Sequence, residues 1–367
     1  MIYLDNGATS FHKPPAVGKA MLAAMRHCAN PGRGGYRAAM SAAETVFRGR
    51  EMAGKLFSCL PEQVVFTSNC TQGLNMAIRT LVKPGGRVLI SGFEHNAVTR
   101  TLHGVGAEVL VAGRRLFDWR DTLTQWEDGL RSGVEAAVFT HVSNVFGYIL
   151  PVAQMAALCK SYGVPFVVAA AQSAGMLTVN LGELGADFIA MPGHKGLLGP
   201  QGTGILLCNR LPAPLLYGGT GSHSRQQEMP DFLPDLAEAG TLNVPGIAGL
   251  TEGIRYVNRV GVRRIFARER EATVSCAAGL KMLGMQVFTG EHQSGTLSFA
   301  SQMDCEQVAQ GLAEAGIAVR AGLHCAPLAH ESAGTLERGT VRVSFGHDAS
   351  AGQVESLLLA LKNIMVN

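Results

Sequence analysis

The chain of 367 residues has little charge, few aromatic side chains and no long hydrophobic run. Charged residues make up 16% and aromatic residues 6%, and the formal net charge is +3. No basic run is interleaved with aromatic residues, so we expect no nucleic-acid partner. The most apolar stretch, around residues 164–171, is far too short to span a bilayer, so we expect no membrane partner.

The eight cysteines form no Cys-x-x-Cys pair and no regular framework. In a chain of this length, scattered cysteines are typical of reduced thiols in a cytosolic protein. The first residues, Met-Ile-Tyr-Leu-Asp-Asn-Gly, lack the charged and apolar regions of a signal peptide. We therefore expect a cytoplasmic protein.

What the sequence has instead is a regular alternation of short β-rich runs and helical patterns between residues 64 and 210. The runs typical of buried strands are Val64–Thr67, Arg87–Ile90, Glu108–Val111, Ala136–Thr140, Pro165–Ala169, Asp187–Ala190 and Gly204–Cys208. The helical patterns between them are Thr71–Leu81, Asn96–Gly104, Thr122–Arg131 and Val152–Tyr162. This alternation predicts an α/β fold, with a mostly parallel seven-stranded sheet between helices and functional groups at the carboxyl ends of its strands.

The pattern changes after about residue 245. Two long helical patterns, at 247–259 and 262–283, precede short strands near 295–299, 318–320 and 340–345 and helices at 305–315 and 349–366. A chain of this length usually forms more than one core. We predict a large cofactor-binding domain of residues 16–245 and a smaller α+β domain formed by residues 1–15 and 246–367.

One lysine, Lys195, lies in a glycine-rich turn directly after a predicted strand. The turn reads Gly193-His-Lys-Gly196, and a further glycine-rich stretch leads into the next strand. A single lysine is most often a solvated surface charge. A lysine held in a tight turn at a strand end can instead lose its proton and act as a nucleophile toward a carbonyl carbon.

Several motifs resemble those of the class V aminotransferases, most closely the cysteine desulfurase and selenocysteine lyase branch. In chain order they are Tyr3–Thr9, His141–Val145, Gly193–Gly196, Arg320–Pro327 and Thr340–Ser344. Together they cover nearly the whole chain, and several motifs in the same order are more specific than any one alone. The resemblance implies the PLP-dependent transferase fold type I, with pyridoxal 5'-phosphate (PLP) as the cofactor.

The resemblance also implies which residues bind that cofactor: Cys70, Thr71, His95, Asn144, Gln172, His194, Lys195 and Thr241. In this family the lysine of the turn binds the cofactor covalently, and a helix start after the first sheet strand binds its phosphate. His95 matches the histidine that stacks on the ring and relays protons, and Asn144 and Gln172 match the neutral amides that contact the phenolic oxygen or the substrate carboxylate. Thr241 matches a threonine that reaches the phosphate bound by a partner subunit, which implies a homodimer.

For the substrate, the resemblance implies Asn144 and Arg342 as carboxylate contacts, because a guanidinium binds carboxylate with two hydrogen bonds. It implies Cys325 as a nucleophile that takes sulfur from L-cysteine, releases L-alanine and passes the sulfur to an acceptor protein. The catalytic residues would then be Lys195, Cys325 and His95. From the residues alone, a structural ion pair is the alternative for Arg342, and a small buried apolar residue is the alternative for Cys325.

Three alternatives stay open on the sequence. The chain is another class V enzyme acting on an amino acid by transamination or β-elimination, or a fold relative without turnover, or a metal protein that uses His324, Cys325 and His330. A metal site lacks an evident fourth ligand, so we expect none.

Two positions depart from the family pattern. Family members usually have an aspartate three residues before Gln172, where it pairs with the protonated pyridine nitrogen, but Ala169 stands there. Pro192 stands where relatives often have a serine or threonine whose hydroxyl binds phosphate. The charged ring is what makes the cofactor an electron sink, so Ala169 predicts weakened catalysis.

Overall fold

A computed structural model of the chain describes residues 1–32 and 34–366. Its strands are β1 (Ile2–Tyr3), β2 (Val64–Thr67), β3 (Arg87–Ser91), β4 (Glu108–Ala112), β5 (Ala136–Thr140), β6 (Phe166–Ala169), β7 (Phe188–Pro192), β8 (Gly204–Cys208), β9 (Gln286–Phe288), β10 (Thr296–Ala300), β11 (Ile317–Ala318), β12 (Arg320–Gly322) and β13 (Thr340–Ser344). Its α-helices are α1 (Pro15–His27), α2 (Arg37–Phe57), α3 (Cys70–Leu81), α4 (Asn96–Gly104), α5 (Trp119–Arg131), α6 (Val152–Ser161), α7 (Leu181–Leu184), α8 (Val244–Val260), α9 (Val262–Met282), α10 (Cys305–Glu314), α11 (Pro327–Ala333) and α12 (Ala351–Val366).

The central sheet has seven strands in the order β2-β8-β7-β6-β5-β3-β4. Only β8 runs antiparallel to its neighbours, β2 and β7, and the other pairs are parallel. This confirms the predicted mostly parallel seven-stranded sheet. Every residue of β5, β6, β7 and β8 is buried, as expected for strands covered on both faces.

Helices cover both faces of this sheet and form two apolar cores. Along β5, Ala137 and Phe139 contact the core under α5 and α6, whereas Ala136 and Val138 contact the core under α3 and α4. The side chains alternate because successive residues of a strand point to opposite faces. Because the parallel strands run in the same direction, their carboxyl ends lie at one edge of the sheet, and the loops that follow them meet there.

A smaller unit follows α9. Its antiparallel sheet has the order β12-β13-β10-β9, and α9, α10 and α12 pack on it around a third apolar core. The single strand predicted at 318–320 was wrong, because Ala318 ends β11 and Arg320 begins β12. The first of these pairs with β1 and the second with β13, so Val319 lies where the chain passes from one small sheet to another.

The long helices α8 and α9 belong to different cores. Val244, Ile247 and Leu250 of α8 lie in the core of the large unit, whereas Cys276 and Leu280 of α9 lie in that of the small unit. The division of the chain at residue 245 therefore stays a prediction. Within the described ranges, no helix is both long and apolar enough to cross a membrane.

Candidate active site

A cavity of about 230 Å³ opens at the carboxyl edge of the central sheet. The residues expected to act there that line it are Cys70, Thr71, His95, Asn144, Gln172, His194, Lys195, Cys325 and Arg342. The departures Ala169 and Pro192, at the ends of β6 and β7, line the same cavity. The structure thus brings together side chains from both units, although Cys70 and Arg342 are 272 residues apart along the chain.

Lys195 is half-buried in the turn after β7. Burial and the positive charge of Arg342 lower the pKa of its amine to about 8. The turn requires its glycines, because a Cβ on Gly193 would overlap the Thr203 hydroxyl and one on Gly196 the Ala174 carbonyl. An amine with this pKa is partly unprotonated near neutral pH, so it can act as a nucleophile or accept a proton.

The first turn of α3 forms another part of the wall. Asn69 caps the helix, and its side-chain oxygen accepts a hydrogen bond from the backbone N–H of Gln72 at 2.9 Å. The backbone N–H groups of Cys70 and Thr71 precede the first intrahelical bonds, so they and the positive end of the helix dipole suit a phosphate. Burial raises the pKa of the Cys70 thiol to about 12, which keeps this thiol neutral.

His95 caps α4. Its Nδ1 accepts a hydrogen bond from the backbone N–H of Ala97 at 2.9 Å, so the neutral ring carries its hydrogen on Nε2. Burial and the charge of Lys195 lower the pKa of this imidazole to about 4. His95 is therefore a neutral hydrogen-bond donor, and accepting a proton at Nδ1 requires the bond to Ala97 to break.

The second histidine of the wall, His194, is also neutral. Burial and the charge of Lys195 lower the pKa of its ring to about 4, and its buried Nδ1 has no hydrogen-bond partner among the described residues. The carbonyl of His194 accepts hydrogen bonds from the backbone of Ser10 at 2.9 Å and from the Thr9 hydroxyl at 3.1 Å. These bonds attach the N-terminal segment to the lysine turn. Gln172 does the same through Nε2, which donates to the Gly7 carbonyl at 2.9 Å.

Arg342 on β13 makes a structural ion pair. Its Nη2 contacts Asp5 Oδ1 at 2.6 Å, and its Nη1 donates to the Asn144 carbonyl at 3.0 Å. The side chain is 2% exposed, and its buried Nε has no hydrogen-bond partner in the part of the chain that the structure describes. The cavity contains a second guanidinium, that of the exposed Arg320. Cross-strand register places Arg320 opposite Arg342, and this pairing could not be read from the sequence.

Cys325 lies in the loop between β12 and α11. It is exposed, and the backbone is left-handed at both His324 (φ 49°) and Cys325 (φ 56°), which is unusual for residues other than glycine. Two bonds hold the loop at the cavity: the amide of Asn144 donates to the His324 carbonyl, and the Asn96 N–H donates to the Cys325 carbonyl, both at 2.8 Å.

The two histidines near Cys325 have protein partners. The Nε2 of His324 contacts the Thr340 carbonyl at 3.1 Å, and the Nδ1 of His330 contacts the Thr335 hydroxyl at 2.7 Å. Across residues 1–32 and 34–366, no cluster of three His, Cys, Asp or Glu side chains could hold a metal ion.

Thr241 lies outside the cavity of its own chain. It borders a separate surface cavity of about 830 Å³, together with Arg50 and Glu238. The guanidinium of Arg50 donates to Glu238 Oε1 at 2.8 Å, and this buried ion pair fixes the segment before Thr241 to α2. Its role toward a partner subunit stays a prediction.

Sequence reasoning missed Glu94, which precedes His95. Its side chain is fully buried at the floor of the cavity, and burial raises the pKa of the carboxyl to about 7. The signal was its position after a predicted strand, beside a histidine that we assigned to the site.

Comparisons with known proteins agree with the geometry. The family model for aminotransferase class-V matches residues 2–357. A probable cysteine desulfurase from Methanothermobacter thermautotrophicus is 32% identical, over 99% of this chain and 94% of that protein. The apo structure of a cysteine desulfurase from Thermococcus onnurineus superposes with a TM-score of 0.92 and 30% identity, covering 100% of this chain and 95% of that one.

The Escherichia coli cysteine desulfurase CsdA superposes with a TM-score of 0.84 and 26% identity, covering 99% of this chain and 94% of that one. These matches span both units and all the motifs of the cavity. The chain belongs to the class V aminotransferase family, in the branch that contains the cysteine desulfurases.

Proposed function

We propose that this protein is a PLP-dependent cysteine desulfurase, which converts L-cysteine to L-alanine and leaves a persulfide on Cys325. One observation supports it most: the exposed thiol of Cys325 lines the same cavity as the amine of Lys195. A plain aminotransferase needs the amine and no thiol.

The side chains of the cavity fit PLP. Lys195 offers an amine of lowered pKa for the carbonyl carbon, and the first turn of α3 offers N–H groups for the phosphate. His95 and Gln172 line the cavity, where the neutral imidazole would stack on the pyridine and the amide would donate a hydrogen bond to the phenolic oxygen. When bound, PLP supplies an electron sink for the charge that develops on the α-carbon of the substrate.

The guanidinium groups of Arg342 and Arg320 are suited to bind the substrate. The substrate carboxylate would bind at Arg342 Nε, which is buried and unpartnered, with Arg320 and Asn144 beside it. The Asp5–Arg342 pair holds the guanidinium in position, so the ion pair and the carboxylate contact are compatible.

The protein's part in sulfur transfer is the thiolate of Cys325. It forms an S–S bond to the sulfur of the substrate as the Cβ–S bond of the substrate breaks. The electron pair of that bond and one proton end on the β-carbon, which gives alanine, and the persulfide stays on Cys325. The amine of Lys195 is the basic group suited to move protons here, because the pKa of His95 is far lower.

The proposal extends to assembly, sulfur delivery and location. Thr241 lies outside its own cavity, which is compatible with a homodimer in which it contacts the cofactor of the partner subunit. The exposed position of Cys325 permits transfer of the persulfide sulfur to an acceptor protein. The eight thiols without a disulfide suit the cytoplasm.

The test is product analysis with L-cysteine and purified, PLP-loaded protein. We expect alanine and a persulfide mapped to Cys325, and we expect Cys325→Ala to lose both while still binding PLP. Cys305→Ala is the matched control, since Cys305 is half-buried and lies outside the cavity. Undiminished alanine formation by Cys325→Ala would refute the proposal, and a keto acid as the main product would indicate transamination.

A further inference from the structure

Ala169 leaves one part of the cavity without the carboxylate that the family pattern has there. It is the last residue of β6, it is 5% exposed, and it lines the cavity. In the register of the sheet it lies directly beside Thr140, the last residue of β5. Neighbouring strands are about 4.8 Å apart, so Thr140 is one strand spacing from Ala169.

Glu94 is held at that place. Its Oε1 accepts a hydrogen bond from the backbone N–H of Thr140 at 2.8 Å and another from the hydroxyl of Ser91. Ser91 ends β3, so the carboxyl spans from the end of β3 to the end of β5. Both bonds use the same oxygen. They hold the carboxyl at the end of β5, on the side that faces β3, and β6 with Ala169 lies on the other side of β5.

The other oxygen of this carboxyl, Oε2, has no hydrogen-bond partner among residues 1–32 and 34–366. It is buried, and Glu94 is 0% exposed while lining the cavity. A buried carboxyl is costly unless its oxygens are paired. A structural role explains the bonds of Oε1 to Thr140 and Ser91, but leaves Oε2 unexplained. A buried oxygen without a partner indicates that a ligand in the cavity supplies the hydrogen-bond donor.

We propose that Glu94 is a catalytic residue that takes the place of the missing aspartate, its Oε2 binding the protonated ring nitrogen of PLP from the end of β5, the strand next to β6. This inference rests on the proposed function, because it requires PLP in the cavity. The ring nitrogen and the carboxyl share one proton, and the carboxylate keeps that proton on the nitrogen. Ala169 then removes a carboxylate from one strand end while Glu94 supplies one from the neighbouring end.

Two other features indicate that the partner of Glu94 is a ligand and not a cationic side chain of the protein. No lysine, arginine or histidine within the described residues forms a salt bridge with Glu94. Burial raises the pKa of its carboxyl to about 7, as expected for an acid that lacks a cationic partner. By contrast, the buried Glu238 has such a partner in Arg50.

The test uses PLP labelled with ¹⁵N in the ring, bound to the whole protein and observed by NMR at neutral pH. In the wild-type protein we expect the nitrogen resonance of a pyridinium. In Glu94→Gln, which keeps the size of the side chain and an oxygen for Thr140, we expect the resonance of an unprotonated pyridine. In Glu94→Gln/Ala169→Asp, we expect the pyridinium resonance to return. Glu269→Gln is the matched control, because it makes the same substitution at another buried glutamate of raised pKa that does not line this cavity.

Each outcome decides one point. An unprotonated ring in the wild-type protein, or a pyridinium in Glu94→Gln, overturns the role of Glu94 while leaving the proposed function intact. Failure of the well-folded wild-type protein to bind PLP at Lys195 overturns the proposed function itself. If Glu94→Gln does not fold, Glu94→Asp keeps the charge but withdraws it by one methylene. That variant should shift the nitrogen resonance toward unprotonated pyridine, and a resonance identical to wild type overturns the inference.

Discussion

Two cysteines line the same cavity, and the structure treats them differently. Cys70 lies in the first turn of α3, where burial raises the pKa of its thiol to about 12. Cys325 lies in a loop with left-handed backbone and is exposed. The sequence presents both as scattered thiols, yet only one is open to a reacting partner. Reactivity of a thiol depends on its surroundings, and presence in the cavity is not sufficient.

The same contrast holds for two lysines. Lys13 and Lys195 are both half-buried, and burial lowers the pKa of each amine to about 8. The amine of Lys13 donates to the Ser10 carbonyl at 2.7 Å and does not line the cavity, whereas Lys195 does. A lowered pKa therefore does not identify the functional lysine, and position in the cavity does.

The largest effect is expected from removing the cavity lysine. Lys195→Ala should lower alanine formation by at least ~10⁴-fold, because the nucleophile and its proton-transfer group are lost together. Borohydride treatment of the wild-type protein should fix PLP on Lys195, as peptide mapping by mass spectrometry would show. Lys13→Ala should retain both properties. An adduct on Lys13, or full activity in Lys195→Ala, would invert the assignment.

The comparison of the two thiols can be measured by alkylation. At pH 8 a thiol with a pKa of about 12 is roughly 10⁻⁴ ionised, so iodoacetamide should modify Cys70 at least ~10³-fold more slowly than Cys325. Mass spectrometry of digests at successive times gives both rates. Denaturant should make the two rates similar. Equal rates in the folded protein would mean that Cys70 is not shielded as the structure has it.

How far the sequence predicted these features depended on how local they are. The strand runs from Val64 to Cys208 were correct to within one or two residues, because continuous apolar runs bounded by turn residues are local patterns. Lys195 and Cys325 could be singled out because their short motifs and turns are local too. The family departure at Ala169 was equally visible.

Features that depend on distant pairing were not predictable. Glu94 is interpretable only when β5 is known to lie between β3 and β6, an order that no local pattern encodes. The pair between Asp5 and Arg342 joins residues 337 positions apart, and the sequence left it as one of two readings. Sequence therefore predicted the strands of the central sheet and many site residues, whereas partners across the sheet required the structure.

A smaller effect is expected from truncating the buried thiol. Cys70→Ala should lower the free energy of unfolding by ~1 kcal/mol at pH 7, since it removes a small buried apolar group, and should leave alanine formation within about threefold. The pKa of Cys70 is raised from 9.0 unfolded to about 12 folded, so the wild-type thiol stabilises the fold fully below pH 9. That contribution falls as the pH rises from 9 toward 12, by about 1.4 kcal/mol per pH unit.

Urea unfolding of the wild type and Cys70→Ala at pH 7 and pH 10 measures this difference. We expect the stability advantage of the wild type at pH 7 to disappear or reverse at pH 10. A constant difference across this range would mean that the Cys70 thiol ionises as easily in the folded protein as in the unfolded chain.

The smallest effect on turnover is expected where the family pattern is broken. Ala169→Asp restores the usual carboxylate, but Glu94 already holds one at the neighbouring strand end, with Thr140 between them. Two carboxylates at one ring nitrogen repel each other, and the single N–H of the ring can pair with only one of them. Turnover with L-cysteine should therefore change by less than about threefold, while the free energy of unfolding falls by ~1–3 kcal/mol.

The same substitution in Glu94→Gln should raise turnover at least tenfold over Glu94→Gln alone, which corresponds to about 1.4 kcal/mol of transition-state stabilisation. Steady-state alanine formation by the four proteins gives the coupling between the two positions. If Ala169→Asp raises turnover equally in both backgrounds, the two positions act independently, and the end of β6 is an unfilled gap in the cavity.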